Sequence, residues 1–390
     1  MDPSGDGLPG HLLAGPRGRE LEPPRHIAIF DTSLSFSGFQ RDATHLAIGF
    51  SQLGFSVDLL LARKDLEECY WEVPSSVTTI ELGAKRTARA LAPLAAYLRQ
   101  RRPEVLISTS TETNVIALLA RGLARTRTRL VAREATVASI HRDRRFRGRV
   151  VVFLAKRLYS RVDSLVAVSA GVQEDLTAYM GLPRSSIHVI YNPSVTPGIL
   201  RKAAEPVNHE WLHGNGPPVI ISAGRLHWHK NFPMLLRAFS LVRRERPARL
   251  MILGEGEERP RLEALARELD IIEDFALPGF VANPYNYLAA ASVLALSSTA
   301  EAFGHVLVEA MACGTPVVST DCPGGPAEIL DRGRFGALVP VGDAEAMAGT
   351  VLATLDNPPP RAFLQERAMR FSCDRIARDY MELSAFRDRT

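Results

Sequence analysis

Short apolar runs alternate with longer amphipathic stretches along most of the chain, a pattern typical of strands alternating with helices. In the first half, runs rich in Val, Leu, Ile and Ala predict buried strands at 26–31, 57–62, 77–82, 104–109, 128–134 and 164–169. Helical periodicity fills the intervals, with one helix starting at about Gly38 and others over 87–102 and 112–125. This alternation predicts a parallel sheet with crossover helices.

The alternation stops over 191–218, a stretch rich in Pro, Gly and Asn that we interpret as a linker. Beyond it, strands are predicted at 218–226, 248–256, 274–280, 292–298, 315–320 and 336–340. Helices are predicted over 231–246, 258–268 and most of 343–388. The pattern therefore predicts two α/β domains of similar size, over 25–200 and 201–372. A polar tail over 1–24, rich in Gly and Pro, is expected to be disordered.

The chain of 390 residues is long enough for about two domains, and its 46% hydrophobic and 23% charged residues are typical of a globular protein. No apolar run approaches the roughly 18 residues that a membrane-spanning helix needs, and HLLAG near the start is too short for the core of a signal peptide. We therefore expect a cytoplasmic protein. The four cysteines are not spaced as metal ligands, which argues against a disulfide framework and a zinc site.

Positive charge is concentrated in the first half of the chain. Residues 1–200 contain 26 Lys and Arg against 19 Asp and Glu, whereas the remaining residues contain 21 against 24. The densest cluster begins at Arg121 and ends at Arg149, and it reads RGLARTRTRLVAREATVASIHRDRRFRGR. Such a cluster attracts the phosphate groups of nucleic acid or of anionic lipids, and it is equally typical of a solvated helix face in an Arg-rich protein.

Candidate chemistry lies just after predicted strands, where ligands bind in open parallel sheets. The segment SAGRLHWHKN places Arg225 and Lys230 on a loop that enters a helix. Two cations beside a helix N-terminus suit a diphosphate, although loop cations are also common without a ligand. The segment LGEGEE places Gly254 where its backbone either approaches a ligand closely or only makes the turn.

The segment EAFGHVLVEA follows the predicted strand at 292–298. Glu301 is expected in the loop, and Glu309 one turn into a helix that begins near Gly304 or His305. Both carboxylates can then face the cleft and accept hydrogen bonds from the vicinal hydroxyls of a sugar. The alternative is that Glu is present simply as a good helix former.

The order of these motifs, GRL…K, GEG, EAFG…LVEAMACGTPVV and GGPAEI, resembles the family 4 retaining glycosyltransferases of GT-B fold. The likeness covers the whole second half by specific motifs and the first half by general pattern. It implies two Rossmann-like parallel-sheet domains that face a central cleft. The N-terminal domain would bind the acceptor and the C-terminal domain the nucleotide sugar, with a last helix over 373–390 packing back on the N-terminal domain.

The resemblance also implies residue roles. Glu301 would contact the transferred sugar, Glu309 would bind the ribose hydroxyls, and Arg225 and Lys230 would bind the donor diphosphate. Of these, Glu301, Arg225 and Lys230 are the expected catalytic residues. Gly38 would be the glycine that closes over the diphosphate, and Phe280 and Val281 would lie in the loop that seats the nucleobase. The backbone near the sugar and phosphates completes the predicted donor site, with Gly224, Gly254, Phe303, Gly304, His305 and Val306.

One position departs from the family pattern. Many relatives carry a His after the fourth or fifth strand, near the reacting sugar, where this chain has Arg133 and Glu134 in LVAREAT. Some members of the family do show Arg-Glu there. His141, seven residues later, is a second candidate for this role, and it is also readily explained as a surface residue of a basic helix.

The family chemistry implies retention at the anomeric carbon through an oxocarbenium-like transition state, with the departing diphosphate accepting the proton of the acceptor. No Asp-x-Asp motif occurs, so we expect neither a metal nor another cofactor. The loop CPGGPAEIL favours a UDP-hexose or UDP-N-acetylhexosamine as donor, with GDP-mannose as the alternative. The basic cluster favours a lipid-linked acceptor at an anionic surface on the inner face of the cell membrane, although another glycan acceptor stays open.

Two other classes of protein are possible from the sequence. A non-hydrolysing sugar-nucleotide epimerase of GT-B fold would not carry the two glutamates in this form. A nucleic-acid-binding protein could use the basic cluster, but no aromatic residues are interleaved for base stacking, and we expect no nucleic-acid partner.

Overall fold

A computed structural model of the chain describes residues 26–33, 38–63, 73–136, 146–214 and 216–386. The predicted tail over 1–24 and the candidate His141 lie outside these residues. The described residues form two sheets, one of seven and one of six strands, and every pairing in both sheets is parallel. This architecture confirms the predicted α/β class and the two Rossmann-like parallel-sheet domains.

The first sheet has the strand order β3-β2-β1-β4-β5-β6-β7. Its strands are β1 (His26–Asp31), β2 (Ser56–Leu61), β3 (Val77–Glu81), β4 (Val105–Ser108), β5 (Arg129–Glu134), β6 (Ser164–Ala167) and β7 (Ile187–Val189). Its helices are α1 (Gly38–Gln52), α2 (Leu91–Arg101), α3 (Thr111–Ala124), α4 (Phe146–Leu158) and α5 (Ala170–Asp175). The six strands predicted in this half are confirmed, whereas β7 was missed because a strand of three residues centred on His188 has too short an apolar run.

The second sheet has the order β10-β9-β8-β11-β12-β13. Its strands are β8 (Val219–Ala223), β9 (Arg249–Leu253), β10 (Phe275–Gly279), β11 (Val293–Leu296), β12 (Val317–Thr320) and β13 (Ala337–Val339). The helices of this half are α6 (Ile199–Ala203), α7 (Phe232–Glu245), α8 (Arg259–Glu268), α9 (Pro284–Ala290), α10 (His305–Ala312), α11 (Pro326–Ile329), α12 (Ala344–Asp356), α13 (Arg361–Met369) and α14 (Cys373–Met381). All six strands predicted here are confirmed.

Both sheets are covered by helices on two faces, which explains why their strands are nearly continuous apolar runs. In β1, the four residues from Ile27 to Phe30 are completely buried. In each sheet the strand order reverses once, between β1 and β4 in the first sheet and between β8 and β11 in the second. Loops diverge at such a reversal and leave a crevice beyond the carboxyl ends of the strands, so a ligand site is expected there in both domains.

Helix α14 packs against α1 of the first domain, although it follows the second domain in sequence. The approach is close, because a Cβ atom placed on Gly49 would lie 2.2 Å from the carbonyl oxygen of Cys373. The ring of Phe50 packs edge-on against Tyr380 and is stacked on Phe386. The end of the chain therefore ties the two domains together. None of the described helices is long and apolar enough to cross a membrane.

Candidate active site

The loops that follow β8, β9 and β10 approach one another backbone to backbone. Gly224 and Gly254 have φ values of 155° and 141°, which side chains rarely adopt. A Cβ atom on Gly254 would lie 2.1 Å from the carbonyl oxygen of Gly224, and the amide of Gly254 donates to the carbonyl of Gly279 at 2.8 Å. Packing between the loops therefore requires glycine at Gly254. This requirement explains the residue without a bound ligand.

Lys230 and Glu301 meet at the strand reversal of the second sheet. Lys230 ends a 3-10 turn (Trp228–Lys230) after β8, and Glu301 follows β11. The ammonium of Lys230 donates to Oε1 of Glu301, and the hydroxyl of Ser298 donates to the same oxygen at 2.6 Å. Burial alone would raise the pKa of Glu301, but the charge of Lys230 and these two hydrogen bonds hold that pKa below its usual value. The pair therefore presents a fixed, ionised carboxylate beside a cation.

The loop that carries Glu301 is held by the glycines of CPGGPAEIL. The amide of Gly325 donates to the carbonyl of Glu301 at 3.1 Å. At Gly324, where φ is 120°, a Cβ atom would lie 1.4 Å from that same carbonyl oxygen. Gly304, with a φ of 110°, then turns the chain into α10, which begins at His305 as predicted. These glycines let two loops pack closely at the site.

Glu309 lies on α10, is only 4% exposed, and is paired across the cleft. Arg41, on α1 of the first domain, donates through Nη2 to Oε1 of Glu309 at 3.0 Å and through Nη1 to the hydroxyl of Tyr285 at 3.3 Å. Sequence reasoning missed Arg41, which is 268 residues away along the chain. The sequence feature that could have identified Arg41 is its position near the start of the helix that follows β1, at the ligand-binding edge of the first sheet.

His305 makes a second polar contact across the cleft. Its Nε2 lies 3.1 Å from Oδ1 of the buried Asp42 on α1, and its Nδ1 lies 2.8 Å from the hydroxyl of Ser194. The other oxygen of Asp42 accepts from Nη2 of Arg133, which also donates to Oδ1 of Asn192 at 2.5 Å. The structure thus brings Arg133 and His305, predicted separately, to one carboxylate that the sequence analysis did not identify.

Backbone contacts close to these residues also join the domains. The hydroxyl of Ser169 donates to the carbonyl of Ala302 at 2.8 Å. The amides of Ala170 and Gly171, at the start of α5, donate to the carboxylate of Glu328 at 2.9 and 3.2 Å. The segment next to Glu301 is therefore fixed from the first domain as well as from the second.

Other predicted residues are more dispersed. The side chain of Arg225 is 71% exposed and pairs with Glu257 at 3.3 Å, outside the Lys230–Glu301 contact. Phe280 is 51% exposed, whereas Val281 is half-buried. Both follow β10, on the same side of the sheet as the other loops.

Three further predicted residues take structural positions. Phe303 is 2% exposed and packs against the ring of Phe371, so its backbone is the part left for a ligand. Val306 is buried in the core, and Gly38 is the first residue of α1. Glu134 is also buried, where it accepts hydrogen bonds from Tyr159 and two other side chains of the first domain.

Within the part of the chain that the structure describes, no group of three or more His, Cys, Asp or Glu side chains is arranged to hold a metal ion. The arrangement at the cleft instead combines the Lys230–Glu301 ion pair, the buried carboxylates of Glu309 and Asp42, and several polar contacts between the domains. Such a set can bind an anion together with vicinal hydroxyls.

Comparison with known proteins gives matches over both domains. Residues 37–193 match the family described as Glycosyl transferase 4-like domain, and residues 206–371 match the family described as Glycosyl transferases group 1. The N-acetylgalactosamine-N,N'-diacetylbacillosaminyl-diphospho-undecaprenol 4-alpha-N-acetylgalactosaminyltransferase of Campylobacter jejuni is 33% identical over 274 residues, which are 69% of this chain and 73% of that protein. The lipopolysaccharide 1,6-galactosyltransferase of Escherichia coli is 26% identical, over 69% of this chain and 70% of that protein.

Solved structures share the fold over nearly the whole chain. Anabaena HepE in complex with UDP and glucose has a TM-score of 0.72 at 21% sequence identity, covering 92% of this chain and 98% of that one. The apo form of the lipopolysaccharide outer core galactosyltransferase WaaB has a TM-score of 0.69 at 20% identity, covering 91% and 98%. At these identities the likeness shows a common two-domain architecture.

Proposed function

Because the chain belongs to glycosyltransferase family 4, of GT-B fold, we propose that it is a retaining enzyme that transfers a hexose or N-acetylhexosamine from a UDP-sugar. The acceptor we propose is a lipid-linked glycan in cell-surface glycan synthesis. The observation that carries this proposal is the placement of Lys230, Glu301 and Glu309 at the strand reversal of the second sheet. There, Lys230 is paired with Glu301, and Glu309 lies buried on the following helix, so that both carboxylates can accept hydrogen bonds from sugar and ribose hydroxyls.

In the proposed reaction, Glu309 binds the ribose and Glu301 orients the sugar. Lys230, with Arg225 turned in from its exposed position, stabilises the negative charge that develops on the leaving diphosphate. The bond from the anomeric carbon to the diphosphate oxygen breaks as the acceptor oxygen bonds to the same face of that carbon. The acceptor proton passes to the departing phosphate oxygen. Positioning and electrostatics then supply most of the catalysis, without a metal or other cofactor.

UDP is favoured as the donor nucleotide by the loop CPGGPAEIL, whose glycines hold the carbonyl of Glu301. A solved structure of the same fold contains UDP. GDP-mannose is the alternative donor, and the panel of nucleotide sugars described below separates the two. Activity abolished by EDTA and restored by magnesium would contradict the proposed independence from metals.

A lipid-linked acceptor is supported by the name of the Campylobacter relative, which includes diphospho-undecaprenol. It is also supported by an exposed apolar surface on α3 and α4, formed by Leu119, Leu123, Val150 and Phe153, which we call the α3–α4 surface. Basic side chains are exposed on and next to the same helices, namely Arg125, Arg127, Lys156 and Arg157. We propose that this surface docks on the anionic inner face of the cell membrane, each basic residue contributing about 1 kcal/mol.

Not all of the basic cluster over 121–149 is available for such docking. Arg121 is paired with Asp163, and Arg133 is buried. Residues 137–145 lie outside the described part of the chain. The proposed membrane contact therefore rests on the α3–α4 surface and the exposed basic residues around it.

The test is to incubate the protein with UDP-, GDP-, ADP- and dTDP-sugars, with and without lipid-linked glycans, and to measure nucleotide release and glycan product. One donor should give product, and Glu309→Ala and Lys230→Ala should each lower kcat/KM by about 100-fold or more. Glu263→Ala, a matched change in a surface ion pair of α8, should leave the rate unchanged. Epimerised nucleotide sugar without glycan product would favour the epimerase class, and the absence of any product or nucleotide binding would contradict the proposal.

A further inference from the structure

We infer that Asp42 and Arg133 are positioning residues for sugar transfer, which act through His305 to hold the loop carrying Glu301 against the first domain. The inference rests on the proposed function, and it gives Arg133 a role that requires no contact with substrate. It starts from a single buried carboxylate that joins side chains from both domains.

Asp42 is fully buried near the start of α1 and is shared by two partners. Its Oδ2 accepts from Arg133, which lies on β5 of the same domain, and its Oδ1 lies 3.1 Å from Nε2 of His305, the first residue of α10 in the other domain. Asn192, which follows β7, contacts both Arg133 and His305, and Ser194 contacts His305. Three polar side chains of the first domain thus contact His305 of the second, and Arg133 holds two of the three.

The local energetics favour a functional reason for this cluster. Removing a charge from water costs several kcal/mol per ion, and an apolar core would avoid this cost. The guanidinium of Arg133 is completely buried, and its Nε and Nη1 have no hydrogen-bond partner among the described residues. A buried cation with unpaired donors lowers the free energy of unfolding, so protein stability alone does not explain its presence. Burial opposes ionisation of Asp42, yet His305 and Arg133 lower its pKa to about 2, so the carboxylate is charged at every working pH.

The contact is directly connected to the sugar end of the proposed donor site. His305 is separated from Glu301 by three residues, and the carbonyl of one of them, Ala302, accepts from Ser169 of the first domain at 2.8 Å. The segment 301–305 is therefore attached to the first domain at two points. Misplacement of reacting groups by about 1 Å can lower a rate by about 100-fold, so this attachment matters for transfer.

Nucleotide binding should depend little on the contact between Asp42 and His305. The proposed ligands of the diphosphate and the ribose, Lys230 and Glu309, are both on the second domain and touch neither Asp42 nor Arg133 in the contacts described above. Loss of the attachment should therefore lower kcat while donor KM and the affinity for UDP stay nearly constant. A change in protein stability alone would not produce this separation.

The experiment compares wild type with Asp42→Asn, Arg133→Met, His305→Gln and the double variant Asp42→Asn/His305→Gln. Each single variant should lower kcat by about 10- to 100-fold, with UDP affinity changed by less than about threefold. The double variant should be no slower than the slower single variant, because both changes break one contact. Additive losses would overturn the inference.

The matched control is Asp58→Asn. Asp58 is a buried carboxylate of the same domain, and it too is paired with one His and one Arg, His26 at 3.0 Å and Arg101 at 3.2 Å. This variant should lower Tm without lowering kcat. Equal kcat in Asp42→Asn and Asp58→Asn would overturn the inference.

If Asp42→Asn does not fold, His305→Gln decides the question, since this side chain is 18% exposed and its replacement leaves no large cavity. Unchanged kcat in His305→Gln would contradict the inference. If the wild type transfers sugar and all these variants do so equally well, the positioning role is contradicted and the proposed function is not. A wild-type protein that transfers nothing from any donor contradicts the proposed function.

Discussion

Arg41 of the first domain donates to Oε1 of Glu309 at 3.0 Å, so the carboxylate proposed to bind the donor ribose has a cationic partner from the opposite domain. Glu309 is 4% exposed, and its only described charged partner comes from the opposite side of the cleft. Ribose hydroxyls that approach this carboxylate must share it with Arg41 or replace it. Donor binding and the Arg41–Glu309 contact are thereby linked.

Arg41→Ala should destabilise the unliganded protein and increase its stabilisation by UDP. The variant leaves Glu309 buried without a cation, and ribose hydroxyls then bind it without competition. The rise in Tm at saturating UDP should exceed that of wild type by about 1 °C, which corresponds to about 1 kcal/mol for a chain of 390 residues. Thermal unfolding with and without UDP measures both effects.

The control for this prediction is Arg101→Ala, which removes a partner of the buried Asp58 away from the cleft. It should lower Tm and leave the UDP-dependent rise unchanged. A smaller rise in Arg41→Ala than in wild type would show that Arg41 binds the nucleotide itself.

Lys230→Met should be strongly destabilising in the unliganded protein. It leaves the largely buried carboxylate of Glu301 without its cation. Breaking a fully buried pair lowers the free energy of unfolding by about 3–5 kcal/mol, and for this partly exposed pair we expect a loss of about 2–3 kcal/mol. Chemical denaturation of Lys230→Met and of the double variant Lys230→Met/Glu301→Gln should show that the second change recovers part of the loss. Arg246→Met, in an exposed pair with Asp356, should change stability by less than about 1 kcal/mol. A double variant less stable than Lys230→Met would refute this account.

Phe153→Glu and Leu123→Glu should weaken binding to vesicles that contain anionic lipid. Each places a negative charge on the α3–α4 surface, where these side chains are 56% and 51% exposed. Vesicle sedimentation at two salt concentrations measures the effect, which should be larger at low salt. Leu200→Glu and Met369→Glu, at exposed apolar positions of α6 and α13, are the matched controls and should bind as wild type does. Equal loss in all four variants would argue against a specific docking surface.

Asp31, the last residue of β1, should make the protein less stable as pH rises from about 4 to about 6. Burial raises the pKa of its carboxyl to about 6 from 3.8, against opposing hydrogen bonds from Thr109 and Thr32. Over this interval the unfolded chain loses the proton while the folded chain keeps it, so the free energy of unfolding falls by roughly 3 kcal/mol. Asp31→Asn should remove this decrease, and its Tm relative to wild type should be higher at pH 7.5 than at pH 4. The exposed Asp356→Asn should show no such trend, and a pH-independent difference for Asp31→Asn would contradict the prediction.

Much of the fold could be predicted because the strands are buried on both faces. An apolar run such as 26–31 or 292–298 is visible locally, and its boundaries in the structure agree within about two residues. The three-residue β7 was not visible, because its pairing with β6 depends on a neighbour and not on its own composition. The start of α10 at His305 was predicted because Gly304 marks it.

The candidate site could be predicted in part for the same reason. Glu301, Glu309 and Lys230 lie in recognisable local motifs, whereas Arg41 and Asp42 lie in no motif and gain their meaning from side chains more than 260 residues away. Arg133 was singled out because it stands where many relatives carry a His, but its burial against Asp42 changes what it can do.

The sequence by itself determined the two α/β domains, the order of their strands along the chain and the local motifs at the strand ends, because periodicity, glycine placement and residue type are properties of short segments. Only the tertiary structure decided which charges are paired. The contacts of Glu309 with Arg41 and of His305 with Asp42 join opposite sides of the cleft, and they form because folding of both sheets brings the carboxyl ends of their strands to face each other.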